Sequence, residues 1–294
     1  MSGNREGHFG PDWPHRDRSR YVRVLQKNVH YQLFGTDGPC ILLLHGTGAS
    51  THSMRDLAPE LANSARVLVL DLPGHGESDM PPASGLTIEG MAERVHELCE
   101  AIDFEPEIVV GHSAGAAVGL EMALGTDRMI KTVVGLNAAL EPMQGYTIFS
   151  PLAKMLFVNP FVPSLFASYA RRPHVARRLI EQTGSELDAR GLSYYQRLFA
   201  DRDHVAGALG MMASWDLNAL RRRMGMLRSE LVLVNALDDR TVPARNAHAQ
   251  AASVRSGRTI TLPEGGHLVH ETDPARIAHM IVNLTKSQAL RGAA

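Results

Sequence analysis

The chain has 294 residues, of which 44% are hydrophobic and 21% are charged, and its formal net charge is −1. A near-neutral chain of this composition is typical of a globular protein, and its charge gives no argument for nucleic acid as the main partner. Because the sequence has no apolar run of about eighteen residues, it predicts no transmembrane segment.

The cysteines and the N-terminal residues indicate the compartment. Cys40 and Cys99 fall in a predicted strand and a predicted helix, so we expect two buried free thiols. Free thiols fit a reducing compartment. Residues 1–20 are polar and lack the apolar core of a secretory signal, so we expect an extended arm. We expect a cytoplasmic protein, with the surface of the inner membrane as a further place of attachment.

Short β-rich segments alternate with amphipathic helical segments, which predicts a mostly parallel sheet with helices on both faces. The first two strands should pair antiparallel. Strands are predicted at residues 21–25, 29–34, 40–45, 67–71, 108–111, 132–136, 231–236 and 259–262. Helices are predicted near residues 54–63, 88–102, 114–124, 243–252 and 274–284.

This alternation stops between residues 141 and 228, where five prolines interrupt short helical pieces. We interpret 141–228 as a helical cap inserted into an α/β core made of residues 21–140 and 229–294. Ligands of α/β sheets bind at the carboxyl ends of the strands, so the cap should lie over the site.

A serine stands between a predicted buried strand and a predicted helix, in Gly111-His-Ser-Ala-Gly115. A serine at such a corner has a strained backbone, and the flanking glycines remove Cβ atoms that would collide there. The bare motif arises by chance in roughly one chain of this size in ten. Ser113 is therefore a candidate nucleophile only if a base and an acid accompany it.

A hydroxyl needs a base to take its proton and an acid to orient that base. Both follow in the order Ser, Asp, His that accompanies this corner. Asp239 stands after a predicted strand, and His267 follows a Gly-Gly pair after the last one. Asp238 is a rival for the acid, although Asp239 has the more usual distance to the next Val-Pro pair. The other known position for the acid holds Asn137.

A tetrahedral oxyanion needs two backbone N–H donors aimed at the developing charge. The segment His45-Gly-Thr-Gly48 follows a buried strand, and Thr47 is the first expected donor. Ala114 is the second, at a helix N-terminus whose dipole favours negative charge. The segment lacks the Lys-Ser/Thr ending of a phosphate-binding loop, and no zinc-type motif is present, so we expect neither metal nor cofactor.

Together these motifs resemble the α/β-hydrolase superfamily over nearly the whole chain. The resemblance implies the α/β-hydrolase fold, with an eight-stranded, mostly parallel sheet and a triad of Ser113, Asp239 and His267. Relatives commonly have glycine where this chain has Ala236, which stiffens the turn before the acid. The matching segments are His45-Gly46, Asp71-Leu-Pro-Gly-His-Gly-Glu-Ser78, Gly111-His-Ser-Ala-Gly115, Asp239-Arg-Thr-Val-Pro243 and Gly266-His267.

A narrower resemblance is to the accessory proteins of magnesium chelatase in bacteriochlorophyll biosynthesis. It rests on residues 13–19, 45–52, 134–140 and 204–216. The resemblance implies a role near magnesium insertion into protoporphyrin, with a tetrapyrrole as ligand and magnesium chelatase subunits as partners. It implies no particular reaction.

The cap is rich in apolar side chains, which either line a pocket for a hydrophobic small molecule or form the cap's own core. The candidate substrate contacts are His45, His112, Phe149, Phe157, Met211, Met212 and Arg221. Residues 151–228 carry twelve Lys and Arg against six Asp and Glu. These side chains either lie on solvated helix faces or bind tetrapyrrole propionates, an acidic partner or a membrane surface.

Two functions compete. The first is a serine hydrolase that cleaves an ester, amide or thioester of a hydrophobic substrate, and hydrolysis of a C–C bond can use the same residues. The second is a non-catalytic tetrapyrrole carrier or chelatase partner. Dehalogenase and epoxide-hydrolase chemistry needs a carboxylate where this chain has Ser113. The presence of all three triad residues favours the hydrolase.

Overall fold

The computed structural model describes residues 7–125, 130–141 and 159–292, with side chains as far as residue 286. Eight strands form one sheet in the order β1-β2-β4-β3-β5-β6-β7-β8. The pairs β1/β2 and β2/β4 are antiparallel and the other five pairs are parallel, which confirms the predicted sheet. The strands are β1 (Ser19–Val24), β2 (Lys27–Phe34), β3 (Cys40–Leu44), β4 (Arg66–Leu70), β5 (Ile108–His112), β6 (Thr132–Leu136), β7 (Glu230–Ala236) and β8 (Gly257–Leu262), each within two residues of its predicted bounds.

The described α-helices are α1 (Leu57–Ala62), α2 (Ile88–Ala101), α3 (Ala114–Gly125), α4 (Val162–Ala170), α5 (Pro173–Gln182), α6 (Ala189–Phe199), α7 (Arg202–Ser214), α8 (Leu217–Arg223), α9 (Arg245–Ala252), α10 (Val269–Thr272) and α11 (Pro274–Gly292). Helices α4 to α8 lie between β6 and β7, and we call them the inserted helices. Short 3-10 helices occur at Arg16–Arg18, Thr51–Met54, Ala83–Leu86 and Met224–Met226. No helix in the described part of the chain is long and apolar enough to cross a bilayer.

Strand β3 shows why the sequence builds two cores. Leu42 and Leu44 pack with α2 and α3 on one face of the sheet, whereas Ile41 and Leu43 pack with α1 and α11 on the other. All four side chains are fully buried. Successive side chains of a strand point to opposite faces, so a continuous apolar run fits a sheet that is covered on both. Burial of each such side chain contributes about 1.5–3 kcal/mol.

The parallel register aligns the carboxyl ends of the central strands. Leu44 of β3 pairs with Gly111 of β5, and His112 of β5 pairs with Leu136 of β6. Leu136 in turn pairs with Val234 of β7. The segments that follow these strands therefore begin side by side along one edge of the sheet.

Residues 7–18, which we expected to be extended, instead form turns and a 3-10 helix. The side chain of Trp13 is 2% exposed. Its ring stacks on Phe9 at 4.6 Å between centroids and meets the ring of Tyr194, in α6, edge-on at 5.4 Å. Apolar burial thus holds this segment against the inserted helices.

Two arginines anchor the same segment at both ends. Arg197 of α6 donates to the carbonyl oxygen of Phe9 at 3.1 Å and pairs with Asp12. Arg16 donates to both carboxylate oxygens of Glu77, in the loop after β4, at 2.6 and 2.7 Å. The N-terminal segment therefore connects the inserted helices to the core.

Buried histidines pack below the carboxyl edge of the sheet. His270 of α10 is fully buried, and neither of its ring nitrogens has a hydrogen-bond partner among the described residues. Its ring centroid lies 4.3 Å from that of His112. Burial lowers the pKa of His270 to about 3 and that of His204 to about 4. Both imidazoles are consequently neutral near pH 7.

The Trp13→Ala variant should lose about 3–5 kcal/mol of unfolding free energy, because a buried ring is removed and a cavity remains. Urea unfolding followed by circular dichroism measures this loss. The matched control is Asp12→Ala, which should leave the urea midpoint nearly unchanged, since water screens an exposed ion pair. If Trp13→Ala shifts the midpoint no more than the control does, the N-terminal segment does not stabilise the fold.

The His270→Phe variant should make the protein less sensitive to acid. The folded-state pKa of His270 is about 3 against an ordinary 6.5, so the unfolded chain takes up this proton first as the pH falls. Stability due to neutral His270 is therefore complete above about pH 6.5 and is lost below it at about 1.4 kcal/mol per pH unit.

Phenylalanine keeps a ring in this site but cannot take up a proton. The loss of unfolding free energy between about pH 7 and pH 5 should shrink by about 2 kcal/mol in urea titrations of His270→Phe. The control His279→Gln, at an exposed histidine, should behave like the wild type. The same loss in His270→Phe and wild type would contradict a neutral, buried His270.

Candidate active site

Ser113 lies on a sharp corner between β5 and α3. Its φ is 50°, in the left-handed region that few residues other than glycine adopt. Its N–H donates to the carbonyl oxygen of Leu136 at 2.9 Å, and its own carbonyl oxygen accepts from the N–H groups of Ala116 and Ala139 at 3.2 and 3.1 Å. These bonds hold a conformation that costs about 1–3 kcal/mol.

The two glycines of the motif are required by close approach. A Cβ on Gly111 would lie 2.3 Å from a backbone nitrogen of α3, and one on Gly115 would lie 2.3 Å from the carbonyl oxygen of Leu44. A Cβ on Gly46 would lie 3.1 Å from the Cβ of Ser113. The segment after β3 is therefore packed directly against the serine.

His267 and Asp239 form a buried pair at the same edge. Nδ1 of His267 lies 2.9 Å from Oδ2 of Asp239, and the two side chains are 8% and 0% exposed. Oδ1 of Asp239 accepts the N–H groups of Thr241 and Val242 at 2.7 and 3.0 Å. Because an ionised carboxylate only accepts, the imidazole donates from Nδ1 and keeps its lone pair on Nε2. Such an imidazole can take a proton at Nε2.

Asp238, the rival acid, holds the backbone that precedes His267. Its carboxylate accepts the N–H groups of Gly266 and Gly265 at 2.9 and 3.2 Å. Both glycines have positive φ, and a Cβ on Gly266 would lie 2.4 Å from the carbonyl oxygen of Gly184. The geometry therefore favours Asp239 as the partner of the imidazole.

Asn137 has a role that we did not predict. It is 1% exposed and directly follows β6. Its Nδ2 donates to the carbonyl oxygens of Gly266 and His267 at 2.8 and 2.9 Å, while its Oδ1 accepts the N–H of Ala236 at 2.9 Å. One amide thus connects the end of β7 to the loop that carries His267. The sequence signal that could have pointed to Asn137 was its position, which is the other known position for the acid.

His112 does not fit the predicted role of a substrate contact. It is 2% exposed, and its Nε2 lies 2.9 Å from the carbonyl oxygen of His267, to which it donates. Burial lowers the pKa of His112 well below its ordinary value. The neutral ring supports the loop of His267 from inside the protein.

His45 does not fit that role either, because both of its ring nitrogens are engaged. Nε2 accepts the N–H of Leu72 at 2.9 Å, so the proton is on Nδ1, which donates to the carbonyl oxygen of Gly46 at 2.8 Å. The ring is fully buried, and burial lowers its pKa. His45 fixes the turn that contains Thr47.

The two expected oxyanion donors lie in adjacent segments. Thr47 is in a turn closed by the hydrogen bond from Ala49 N–H to the carbonyl oxygen of Gly46, at 3.1 Å. Ala114 is the first residue of α3. The first N–H groups of a helix have no intrahelical partner, and the helix dipole favours an anion there. An oxyanion beside Ser113 would lie next to both the turn of Thr47 and the first residue of α3.

The inserted helices contact this edge at two points that the sequence gave no signal for. His204 of α7 accepts the N–H of Gly76 on Nδ1 at 3.0 Å and donates from Nε2 to the carbonyl oxygen of Gly48 at 3.1 Å. Ser185, between α5 and α6, accepts the N–H of Leu268 at 2.8 Å. The insertion is therefore bonded to the turn of Thr47 and to the loop of His267.

The predicted apolar contacts occupy different places. Met211 of α7 is fully buried, and its sulfur lies 3.8 Å from the hydroxyl oxygen of Thr47. Met212, next to it, is partly exposed. Phe149 and Phe157 lie outside the described residues. Met211 thus packs in the core behind the candidate oxyanion turn and, like His45, does not fit the predicted role of a substrate contact.

The arginines of α8 have acidic neighbours. Arg221 Nη2 lies 3.5 Å from Oε1 of Glu141, and Arg223 donates to both carboxylate oxygens of Glu121, in α3, at 2.9 Å each. Arg221 and Arg222 line a cavity of about 480 Å³ together with Glu141. Arg223 therefore fastens α8 to the core, whereas Arg221 and Arg222 border an open space.

Comparison with known proteins gives matches over most of the chain. The alpha/beta hydrolase family model matches residues 41–280. The Magnesium-chelatase 30 kDa subunit of Rhodobacter capsulatus is 36% identical over 277 residues, which cover 92% of this chain and 96% of the relative. The putative carbamate hydrolase RutD of Agrobacterium fabrum is 26% identical, covering 84% and 94%. An alpha/beta hydrolase fold protein from Burkholderia ambifaria has a crystal structure that superposes with a TM-score of 0.75 at 24% identity, covering 90% and 96%. The chain belongs to the alpha/beta hydrolase family.

Proposed function

We propose that this protein is a serine hydrolase that cleaves an ester-type bond of a hydrophobic small molecule. Ser113 is the nucleophile, His267 the general base and Asp239 the acid that orients it. The observation that carries the proposal is the 2.9 Å hydrogen bond between His267 and Asp239, at the edge where Ser113 has its strained φ of 50°. A protein that only binds a ligand gains nothing from these three residues together.

In the first half-reaction the hydroxyl oxygen of Ser113 attacks the carbonyl carbon while its proton moves to Nε2 of His267. The carboxylate of Asp239 stabilises the resulting imidazolium. The carbonyl π electrons move to the oxygen, which the N–H groups of Thr47 and Ala114 bind. Each such donor typically contributes about 3–4 kcal/mol to the transition state.

The tetrahedral intermediate then re-forms the carbonyl and expels the alcohol, which takes the proton from Nε2 of His267. In the second half-reaction water gives a proton to the same nitrogen and attacks the acyl-enzyme. The second intermediate releases the acid, and Ser113 regains its proton from His267. Every step is an acyl or a proton transfer, so the reaction consumes no cofactor.

The inserted helices are proposed to act as a cap that selects the substrate. The apolar composition of residues 141–228 supports an apolar substrate. The 36% identity to a protein named Magnesium-chelatase 30 kDa subunit supports a substrate from magnesium-porphyrin metabolism. A tetrapyrrole with an esterified side chain combines an apolar body with the required bond.

The same relative supports a second candidate function, a tetrapyrrole-binding protein that assists magnesium chelatase without hydrolysis. In that case the cavity bordered by Arg221 and Arg222 would receive carboxylates of the ligand. The two candidates differ in whether Ser113 reacts.

A fluorophosphonate probe should label the wild-type protein at one site and should fail to label Ser113→Ala, because the probe captures a serine that a neighbouring base activates. In-gel fluorescence and mass spectrometry of the labelled peptide measure this. The exposed Ser256→Ala variant is the control and should be labelled like the wild type. An unlabelled wild type would reject the hydrolase and leave the tetrapyrrole-binding candidate.

The Asp239→Asn variant should lower the rate of p-nitrophenyl ester hydrolysis by about 10³–10⁴-fold, because an amide no longer holds His267 in the required tautomer and charge state. The matched control is Asp238→Asn, which should cost less than about tenfold, since an amide oxygen still accepts a backbone N–H. Steady-state kinetics separates the two variants. If both lose activity equally, or if Asp238→Asn loses more, the assignment of the acid is wrong.

A further inference from the structure

Helix α4 exposes an apolar stripe. Phe161, Leu165 and Tyr169 are 78%, 73% and 42% exposed. They are spaced four residues apart, so they lie within about 80° of one another around the helix. The opposite side of α4 carries the buried Ala167 and Ala170, and α4 packs against α7. The stripe therefore faces away from the protein, and such an exposed apolar cluster marks a contact surface.

Arginines follow this stripe in the sequence. Residues 159–184 contain four arginines and one acidic residue, Glu181. The guanidinium of Arg172 lies 5.4 Å from the ring centroid of Tyr169, which places a positive charge at the end of the stripe. Arg171 and Arg172 are both exposed, whereas Arg177 forms an exposed ion pair with Glu181 at 3.8 Å.

We propose that the stripe Phe161, Leu165 and Tyr169, together with Arg171 and Arg172, binds the surface of an anionic phospholipid bilayer. Aromatic and aliphatic side chains would enter the boundary between headgroups and acyl chains, and the guanidinium groups would contact lipid phosphates. This surface is separate from Ser113, and the proposal does not depend on hydrolysis.

Charge argues for a bilayer over a second copy of the chain. Two copies joined through their stripes would offer Arg171 and Arg172 no free acidic partner, because residues 159–184 contain one acidic residue, Glu181, which pairs with Arg177. An anionic bilayer supplies both an apolar layer and the phosphates that border it. It can therefore contact the apolar stripe and the two arginines at the same time.

Sedimentation with vesicles tests the proposal. Wild-type protein should sediment with vesicles of phosphatidylcholine and phosphatidylglycerol in equal parts, and much less with phosphatidylcholine alone. Neutralising two arginines in R171Q/R172Q should weaken binding by about 25-fold, at about fivefold for each arginine. The control R23Q/R255Q removes two exposed arginines elsewhere and should bind like the wild type.

A second pair of variants tests the apolar half. F161S/L165S should also lose binding, whereas M226S/L237S, which removes two exposed apolar side chains outside α4, should not. In the F161W variant, brominated lipids should quench the fluorescence of the new tryptophan. This measurement detects binding directly and does not depend on a variant that loses it.

Three results would overturn the proposal. The first is a wild-type protein that does not sediment with anionic vesicles. The second is binding that R171Q/R172Q and F161S/L165S both leave unchanged. The third is a wild-type dimer in analytical ultracentrifugation that F161S/L165S dissociates, since this would assign the stripe to a second copy of the chain. Thermal melting of each variant verifies that the fold is retained.

Discussion

The parallel register of β5, β6 and β7 is the constraint on which the candidate site depends. The backbone N–H of Asn137 donates to the carbonyl oxygen of Val234 at 2.8 Å, and its side chain bonds Ala236 and the loop of His267. These bonds require β6 and β7 to end at one fixed offset. A shift by one residue would turn each side chain to the other face and separate Ser113 from the histidine loop.

The strands and the candidate nucleophile could be predicted because their causes are local. Continuous apolar runs specify strands that are buried on both faces, and Gly111 and Gly115 are needed wherever a serine turns from a strand into a helix. The sequence favoured Asp239 over Asp238 as the acid, whereas the role of Asp238 needed the structure. The two neighbouring carboxylates bond different parts of the same loop, and only coordinates distinguish a bond to the Gly266 N–H from a bond to the imidazole.

The roles of the other histidines could not be predicted, because they depend on partners far along the chain. His112 bonds the backbone of His267, 155 residues away, and His204 bonds Gly48 at a separation of 156 residues. The burial of Trp13 against Tyr194 has the same kind of cause. A histidine that will donate to a buried carbonyl group looks the same in sequence as one that will contact a substrate.

The inserted helices and the geometry of the candidate site are not independent of each other. Helix α4 packs on α7, and α7 carries both His204, which bonds the turn at Gly48, and Met211, which contacts Thr47. A displacement of α7 must therefore move the N–H of Thr47 relative to Ser113 or break a buried hydrogen bond, at a cost of about 1–3 kcal/mol. Any molecule that holds α4 thus acts on the candidate oxyanion turn through one packed helix.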